Sequence, residues 1–269
     1  MSSFLDHLYA ACEVHKGLSR FLSRKRDLTL LKINECHSVV IACDSNASIG
    51  MKPNDYVKRD FFEVGRSAVK VPLMEVIAVG ALPVVVIDTL CVELEPTGKE
   101  ILKGIYYEVR RLGLPPDLVV NGSSEKNMLT TQTGLGVTVF GIAKDKNIKI
   151  GTSKPGEVIV CVGLPKSAPE KPYREGDPEI MDPPTVANLR NQAFINEILP
   201  VGSHGILYEM NLLAEEAFCV LEVVDSPIDL YQSAGASTCV LVTLAEGDID
   251  RLKKVVSKPV FKVGRLVKP

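Results

Sequence analysis

The sequence predicts a mixed α/β (α+β) fold in two domains. Apolar runs of strand length alternate along the chain with segments of helical period, which excludes an all-helical or all-β architecture. A polar, turn-rich stretch over residues 144–155 interrupts that alternation and marks a boundary near residue 150, giving units of 1–150 and 151–269. The 269 residues, 46% hydrophobic and 24% charged, are ample to bury a core.

The elements follow in order. Phe4, Leu5, Leu8, Cys12, Leu18, Phe21 and Leu22 recur at helical spacing, so residues 3–22 read as an amphipathic helix capped by Ser3 and Asp6. Ser38 to Cys43 read as a buried strand ending at Asp44, and 44–60 as a loop. A helix is predicted over 64–79, with Pro72 at a kink or near the first turn. Residues 82–88 read as a buried strand. Thr97 and Glu100 have the spacing of a capping box, opening a helix that Gly113 closes. Short strands are predicted over 118–120 and 137–143. The second unit reads as strand 157–163, a proline-rich loop 165–184, helices 185–198 and 207–218, strands 220–224 and 238–244, a short helix 247–256 and a last strand 260–267. The loop is an Ω-loop by default, and its length also suits a lid.

Composition narrows the function. The net charge of -2 carries no basic excess, which speaks against a nucleic-acid partner. The run Arg24-Lys25-Arg26 reads as a solvated helix end. Seven cysteines, an odd number with no Cys-x-x-Cys pair, read as buried free thiols in a reducing compartment and disfavour structural zinc. No basic-then-apolar leader and no apolar run of membrane-spanning length is present, so a cytoplasmic protein without a membrane partner is expected.

The acids fall at informative places. Asp44 ends one apolar strand, Asp88 lies at the end of another, and Asn121-Gly122-Ser123-Ser124-Glu125 follows a third. Acids at strand ends can converge on a hard cation such as magnesium, and each can equally cap a turn. Gly122, Gly134 and Gly136 lie beside strands, where backbone without Cβ can approach phosphate. There is no Gly-x-x-x-x-Gly-Lys-Ser/Thr loop and no protein-kinase signature. The four histidines show no metal spacing, and His7 and His15 read as helix-surface residues.

Three segments carry a resemblance: Ile41-Ala42-Cys43-Asp44, Leu73-Met74-Glu75-Val76-Ile77-Ala78-Val79-Gly80-Ala81-Leu82-Pro83, and Val120-Asn121-Gly122-Ser123-Ser124-Glu125. Over roughly residues 27–143 the chain resembles the aminoimidazole ribonucleotide synthetase (PurM-like) superfamily. That group includes thiamine-monophosphate kinase, selenophosphate synthetase and a hydrogenase maturation factor. Further segments are similar to the alpha-ribazole kinases of cobamide salvage: Arg26-Asp27-Leu28-Thr29-Leu30, residues 44–50, 88–98, 121–127 and 131–138, and Ser233-Ala234-Gly235-Ala236-Ser237-Thr238.

The resemblance implies an N-terminal α/β domain that forms a homodimer through its sheet, a C-terminal α+β domain closing over ATP, and magnesium held by carboxylates. Carried over, the metal ligands are Asp44, Glu75 and Glu125. Glu75 stands where relatives have Asp, and Glu125 lies two positions late. Lys52, Arg66 and Lys70, with Gly122, Ser123, Gly134 and Gly136, are the expected ATP contacts. Asn121 and Ser123 fall to the substrate hydroxyl, Asp88 is the candidate base, and His204 is a substrate contact on a turn that lacks the family's Asp. The implied activity is transfer of phosphate from ATP to the ribose 5′-hydroxyl of alpha-ribazole. Another superfamily reaction, such as phosphorylation of thiamine monophosphate, or a nucleotide-binding module without catalysis, are the alternatives. Val64, Met128, Leu129 and Tyr231 are the residue types expected to line a slot for the base.

Overall fold

The computed structural model describes residues 3–269. Helix α1 (Phe4–Glu13) opens on the expected capping box. Ser3 Oγ accepts the Asp6 amide at 3.2 Å, and the Asp6 carboxylate accepts the Ser3 amide at 2.6 Å. The helix stops at Glu13 rather than near residue 22. His15 and Gly17 take positive φ, a 3-10 turn covers Leu18–Arg20, and the chain becomes β1 (Leu22–Lys25). β1 pairs antiparallel with β2 (Leu28–Lys32), so Arg24-Lys25-Arg26 belongs to a hairpin, not to a helix end.

Next come β3 (His37–Ala47), the short parallel pair β4 (Ile49–Gly50) and β5 (Val57–Lys58), α2 (Phe61–Ala78) and β6 (Leu82–Leu90). α3 (Lys99–Arg111), α4 (Pro116–Val119), β7 (Val120–Ser124) and β8 (Gly134–Lys144) complete the first half. The capping box expected at α3 does not form. Gly98 is the N-cap, and Thr97 donates to the Glu93 carboxylate instead.

Six strands form one sheet in the order β1-β2-β3-β8-β6-β7, antiparallel except for β6 beside β7, which α3 connects. β3 and β6 both run antiparallel to β8, and β7 runs with β6, so these three strands point the same way, and Asp44, Asp88 and Gly122 fall in one row toward their shared carboxyl edge. Asp44 does not end its strand, because β3 runs on to Ala47. Nor is β6 buried along its length: Leu82, Val84 and Val85 are exposed on a sheet face that no helix covers.

The second half holds β9 (Val158–Gly163), α5 (Pro183–Arg190), β10 (Ile195–Pro200), α6 (Ile206–Glu216), β11 (Val220–Val223), β12 (Cys239–Leu244), α7 (Ile249–Val255) and β13 (Val260–Val267). Its sheet, β10-β12-β9-β13-β11, is wholly antiparallel. The helix expected over 185–198 ends at Arg190. Ile195, Ile198 and Leu199 have helical spacing, but β10 pairs with β12 and is buried on both faces, which erases a strand's alternation.

α2 is the central element. One side, through Val64, Ala68, Leu73 and Val76, packs into the core of the six-stranded sheet. Met74, Ile77 and Ala78 join the core of the second half, beside α5 and β10. Burial all round explains why its apolar stripe is wide, and Pro72 sits in its interior. Of the seven cysteines only Cys161 and Cys239 are buried, while Cys12, Cys36, Cys43 and Cys91 are exposed. Among the described residues, no helix is long and apolar enough to cross a membrane.

Candidate active site

A cleft of about 710 Å³ opens where the two halves meet. From the first half come the hairpin tip (Arg26, Asp27, Leu28), the far end of β3 (Asp44 to Ala47) and the α2 face of Val71, Glu75 and Val79. Val71 and Glu75 on α2 and Val79, its C-cap, recur every four positions, so one stripe of the helix forms the wall. From the second half come the turn carrying Gly202, Ser203 and His204, then Glu209 on α6, and the loop segment Gly235, Ala236 and Ser237. The proline-rich loop contributes Ser167, Ala168 and Tyr173.

Four carboxylates meet here: Asp27, Asp44, Glu75 and Glu209. Burial, then the negative charges of Asp27, Asp44 and Glu209, push the Glu75 carboxyl well above its usual range. Burial and Asp27 raise Asp44. Burial pushes Glu209 up to about 7, with Asp27 and Glu216 adding to it, although its Oε1 accepts the Gly202 amide at 3.4 Å. Glu75 Oε2 is buried and has no hydrogen-bond partner among the described residues. An orphaned buried carboxylate oxygen among three other acids lacks a positive counterpart.

Among the described residues no three His, Cys, Asp or Glu side chains stand in a ready metal-binding arrangement. The donor chemistry nevertheless fits a hard divalent cation, since every donor is a carboxylate oxygen and one of them is unsatisfied. Of the expected ligands, Asp44 and Glu75 are brought together. Glu125 is not: it lies outside the cleft and accepts the amides of Asn127 (2.6 Å) and Met128 (3.1 Å), which hold its carboxyl low.

Asp88, Asn121, Gly122, Ser123, Gly134 and Gly136 also lie outside the cleft lining. They form a second locus on the sheet. Asp44, Val137, Asp88 and Gly122 stand opposite one another across β3, β8, β6 and β7. Two strand spacings, about 10 Å, thus separate Asp44 from Asp88. Burial pushes the Asp88 carboxyl up to about 6. A Cβ at Gly122 would sit 2.3 Å from Asp88 Cγ, so only glycine lets this carboxyl lie across β7. Asn121 Oδ1 accepts the Gly122 amide at 2.9 Å. Gly136 stands opposite Ser45 and Thr89, and Gly134 opposite Ala47.

The three expected phosphate cations are held in ion pairs away from the cleft. Lys52 Nζ donates to Glu93 at 2.7 Å. Arg66 pairs with Glu108 at 2.7 Å and Glu63 at 3.0 Å. Lys70 is fully buried and donates to Glu175 at 2.8 Å; it does not snorkel to solvent. His204 reaches the cleft, its ring centroid 4.7 Å from that of Tyr208. The residues expected to make an apolar slot do not meet. Val64 is in the core, whereas Met128, Leu129 and Tyr231 are exposed outside the cleft.

Asp27 and Glu209 were missed as site residues. Asp27 lay within the segment Arg26-Asp27-Leu28-Thr29-Leu30, whose likeness was its one available signal. Glu209 gives no signal, because its role depends on α6 packing across the cleft from α2.

Comparison with known proteins agrees with this architecture. Residues 25–143 match the family model described as AIR synthase related protein, N-terminal domain. No curated protein sequence matches the chain. Among solved structures, it is similar to thiamine-monophosphate kinase from Stenotrophomonas maltophilia (TM-score 0.62, 14% identity, covering 98% of this chain and 93% of that one). It is also similar to tt0281 from Thermus thermophilus (TM-score 0.67, 15% identity, 99% and 94%). A third neighbour is T. maritima PurL complexed with ATP (TM-score 0.65, 14% identity), where the likeness covers 94% of this chain and 45% of that longer one. The chain thus has a PurM-like fold, whose residues 25–143 match an AIR synthase-related N-terminal domain.

Proposed function

We propose that the protein is an ATP- and magnesium-dependent small-molecule kinase that phosphorylates the ribose 5′-hydroxyl of alpha-ribazole. The observation that carries this reading is the inter-half cleft in which Asp27, Asp44, Glu75 and Glu209 converge and Glu75 Oε2 is left without a partner. Residues 1–150 are then the nucleotide and metal unit, and 151–269 the unit that closes over the substrate.

Asp27, Asp44 and Glu75 are the oxygens that would hold magnesium, which when bound offsets phosphate charge. Ser203 and His204, across the cleft on the turn before α6, orient the acceptor. Glu209, on α6 in the cleft, is placed to take the acceptor's proton, a role it suits better than Asp88, which lies outside the cleft lining. The strand row from Asp44 to Gly122 extends the nucleotide's path toward Ser123 and Gly136. The exposed apolar face of the six-stranded sheet is where a second copy would dock, giving a homodimer.

Incubation with ATP, magnesium and alpha-ribazole should yield alpha-ribazole phosphate by mass spectrometry, and Asp44→Ala should yield none. Thiamine monophosphate serves as the competing acceptor, because the kinase neighbour at 14% identity shares the fold alone. Phosphorylation of thiamine monophosphate and not alpha-ribazole would replace the substrate. ATP binding without turnover on either would replace the kinase with a binding module.

A further inference from the structure

Two arginines line the cleft, Arg26 and Arg59. Arg26 is paired with Glu197 and Glu216, both outside the cleft lining. Among the described residues Arg59 makes no ion pair. Three neutral contacts hold it instead. Its Nη1 donates to Ser67 Oγ at 3.1 Å, its Nη2 donates to the Tyr173 carbonyl at 3.1 Å, and its guanidinium carbon lies 4.6 Å from the centroid of the Tyr173 ring. Tyr173 is buried and itself lines the cleft. The guanidinium is thus fixed in direction and has no direct carboxylate partner: the Ser67 hydroxyl that holds it donates on to Glu175 Oε1 at 2.7 Å, a carboxylate already paired with Lys70 at 2.8 Å, and three of the five Arg59 N–H donors are unused.

Position adds to this. Ser67 and Glu75 lie on the same α2 stripe, eight residues apart, so the anchor of Arg59 and the orphaned carboxylate are separated by about 12 Å along the helix. The cleft therefore has a strongly acidic end suited to a cation and, two turns away, one fixed and unpaired positive charge.

We propose that Arg59 is the anion receptor of the cleft and grips a phosphoryl group of a nucleotide polyphosphate, the rest of which reaches toward the acidic end. A planar fork with free donors matches phosphate oxygens, and the missing carboxylate partner leaves its charge for the ligand. The inference rests on the kinase reading for the identity of that anion. The receptor role itself rests on the geometry of Arg59.

Titration calorimetry of the full chain with magnesium-ATP, pyrophosphate and inorganic phosphate tests it. Wild type should bind ATP and pyrophosphate, and Arg59→Gln should weaken both by roughly tenfold or more. Arg59→Lys, which keeps the charge but loses the fork, should lose several-fold. Arg251→Gln removes the same charge from an exposed arginine paired with Asp248 and should bind as wild type does. A loss confined to inorganic phosphate would assign a single phosphoryl group instead of a polyphosphate to Arg59. Thermal melts establish folding. If Arg59→Gln does not fold, Arg59→Lys carries the comparison, and an unchanged affinity overturns the proposal. Wild type that binds none of the three anions overturns it too. Equal KM for ATP in Arg59→Lys and wild type, with alpha-ribazole still phosphorylated, would sink the receptor and leave the kinase. Weakened anion binding without turnover would do the reverse.

Discussion

Arg26 ties the two halves at the floor of the cleft. Its backbone is left-handed (φ 54) at the tip of the β1–β2 hairpin, which sends its side chain into the second half. There it meets Glu197, which is wholly buried and also accepts the amides of Gly151 (2.9 Å), Thr152 (3.1 Å) and Ser153 (3.0 Å). Arg26→Ala leaves that carboxylate buried without its counter-charge. A loss of about 3 kcal/mol is expected in denaturant unfolding; a loss under about 1 kcal/mol would mean the backbone amides alone satisfy Glu197. Asp88 predicts a dependence of stability on pH. Its carboxyl titrates at about 6 in the fold and ordinarily at 3.8, so between those values the folded protein binds the proton and the unfolded chain does not. Stability therefore falls as pH rises from about 4 to about 6, and stays reduced above that. Asp88→Asn should be more stable than wild type by about 2 to 3 kcal/mol at pH 7, and equal to it near pH 4. Melts across that range check it, and a difference that does not change with pH would reject the buried-carboxyl account.

At the scale of elements, α2 and α3 approach on two glycines. A Cβ at Gly65 would meet the Ile101 carbonyl oxygen at 2.0 Å, and one at Gly104 the Phe62 carbonyl oxygen at 2.1 Å. Backbone, not a flexible side chain, is in the way. Gly65→Ala should lower unfolding stability by about 2 kcal/mol or more despite alanine's better helix propensity. A stabilised variant would show that the pair has room to part. α2, with its strong apolar pattern, was legible in sequence because burial on all sides leaves no ambiguity about its type. The first helix and 185–198 were legible only in their first turns. Each continues into residues whose helical spacing is equally met by strand pairing, and hydrogen bonds to β2 and β12 decided the outcome. The capping box at Thr97 failed for a related reason: its hydroxyl found a carboxylate four residues earlier.

For the whole molecule, the sheet face left uncovered by the described helices is an unmet demand. Leu82 is 74% exposed, with Val84 and Val85 further along the same strand and Ile142 opposite it on β8. Under the proposed homodimer, Val85→Asp should convert the species seen by sedimentation from dimer to monomer; a wild-type monomer at working concentration would remove that part of the reading. Sequence alone determined the type of most of the main elements, because local period carries it, and the resemblance named Asp44 and Glu75 together, two residues that line one cleft. Only the tertiary structure decided which charges are free. Lys52, Arg66 and Lys70 resemble Arg59 in sequence, but each meets a carboxylate distant in the chain, and Arg59 does not. Asp27 and Glu209 likewise join one site only because the hairpin tip and α6 close over the same stripe of α2. Whether a charge is compensated is a property of what packs against it, and residues remote in sequence supply that.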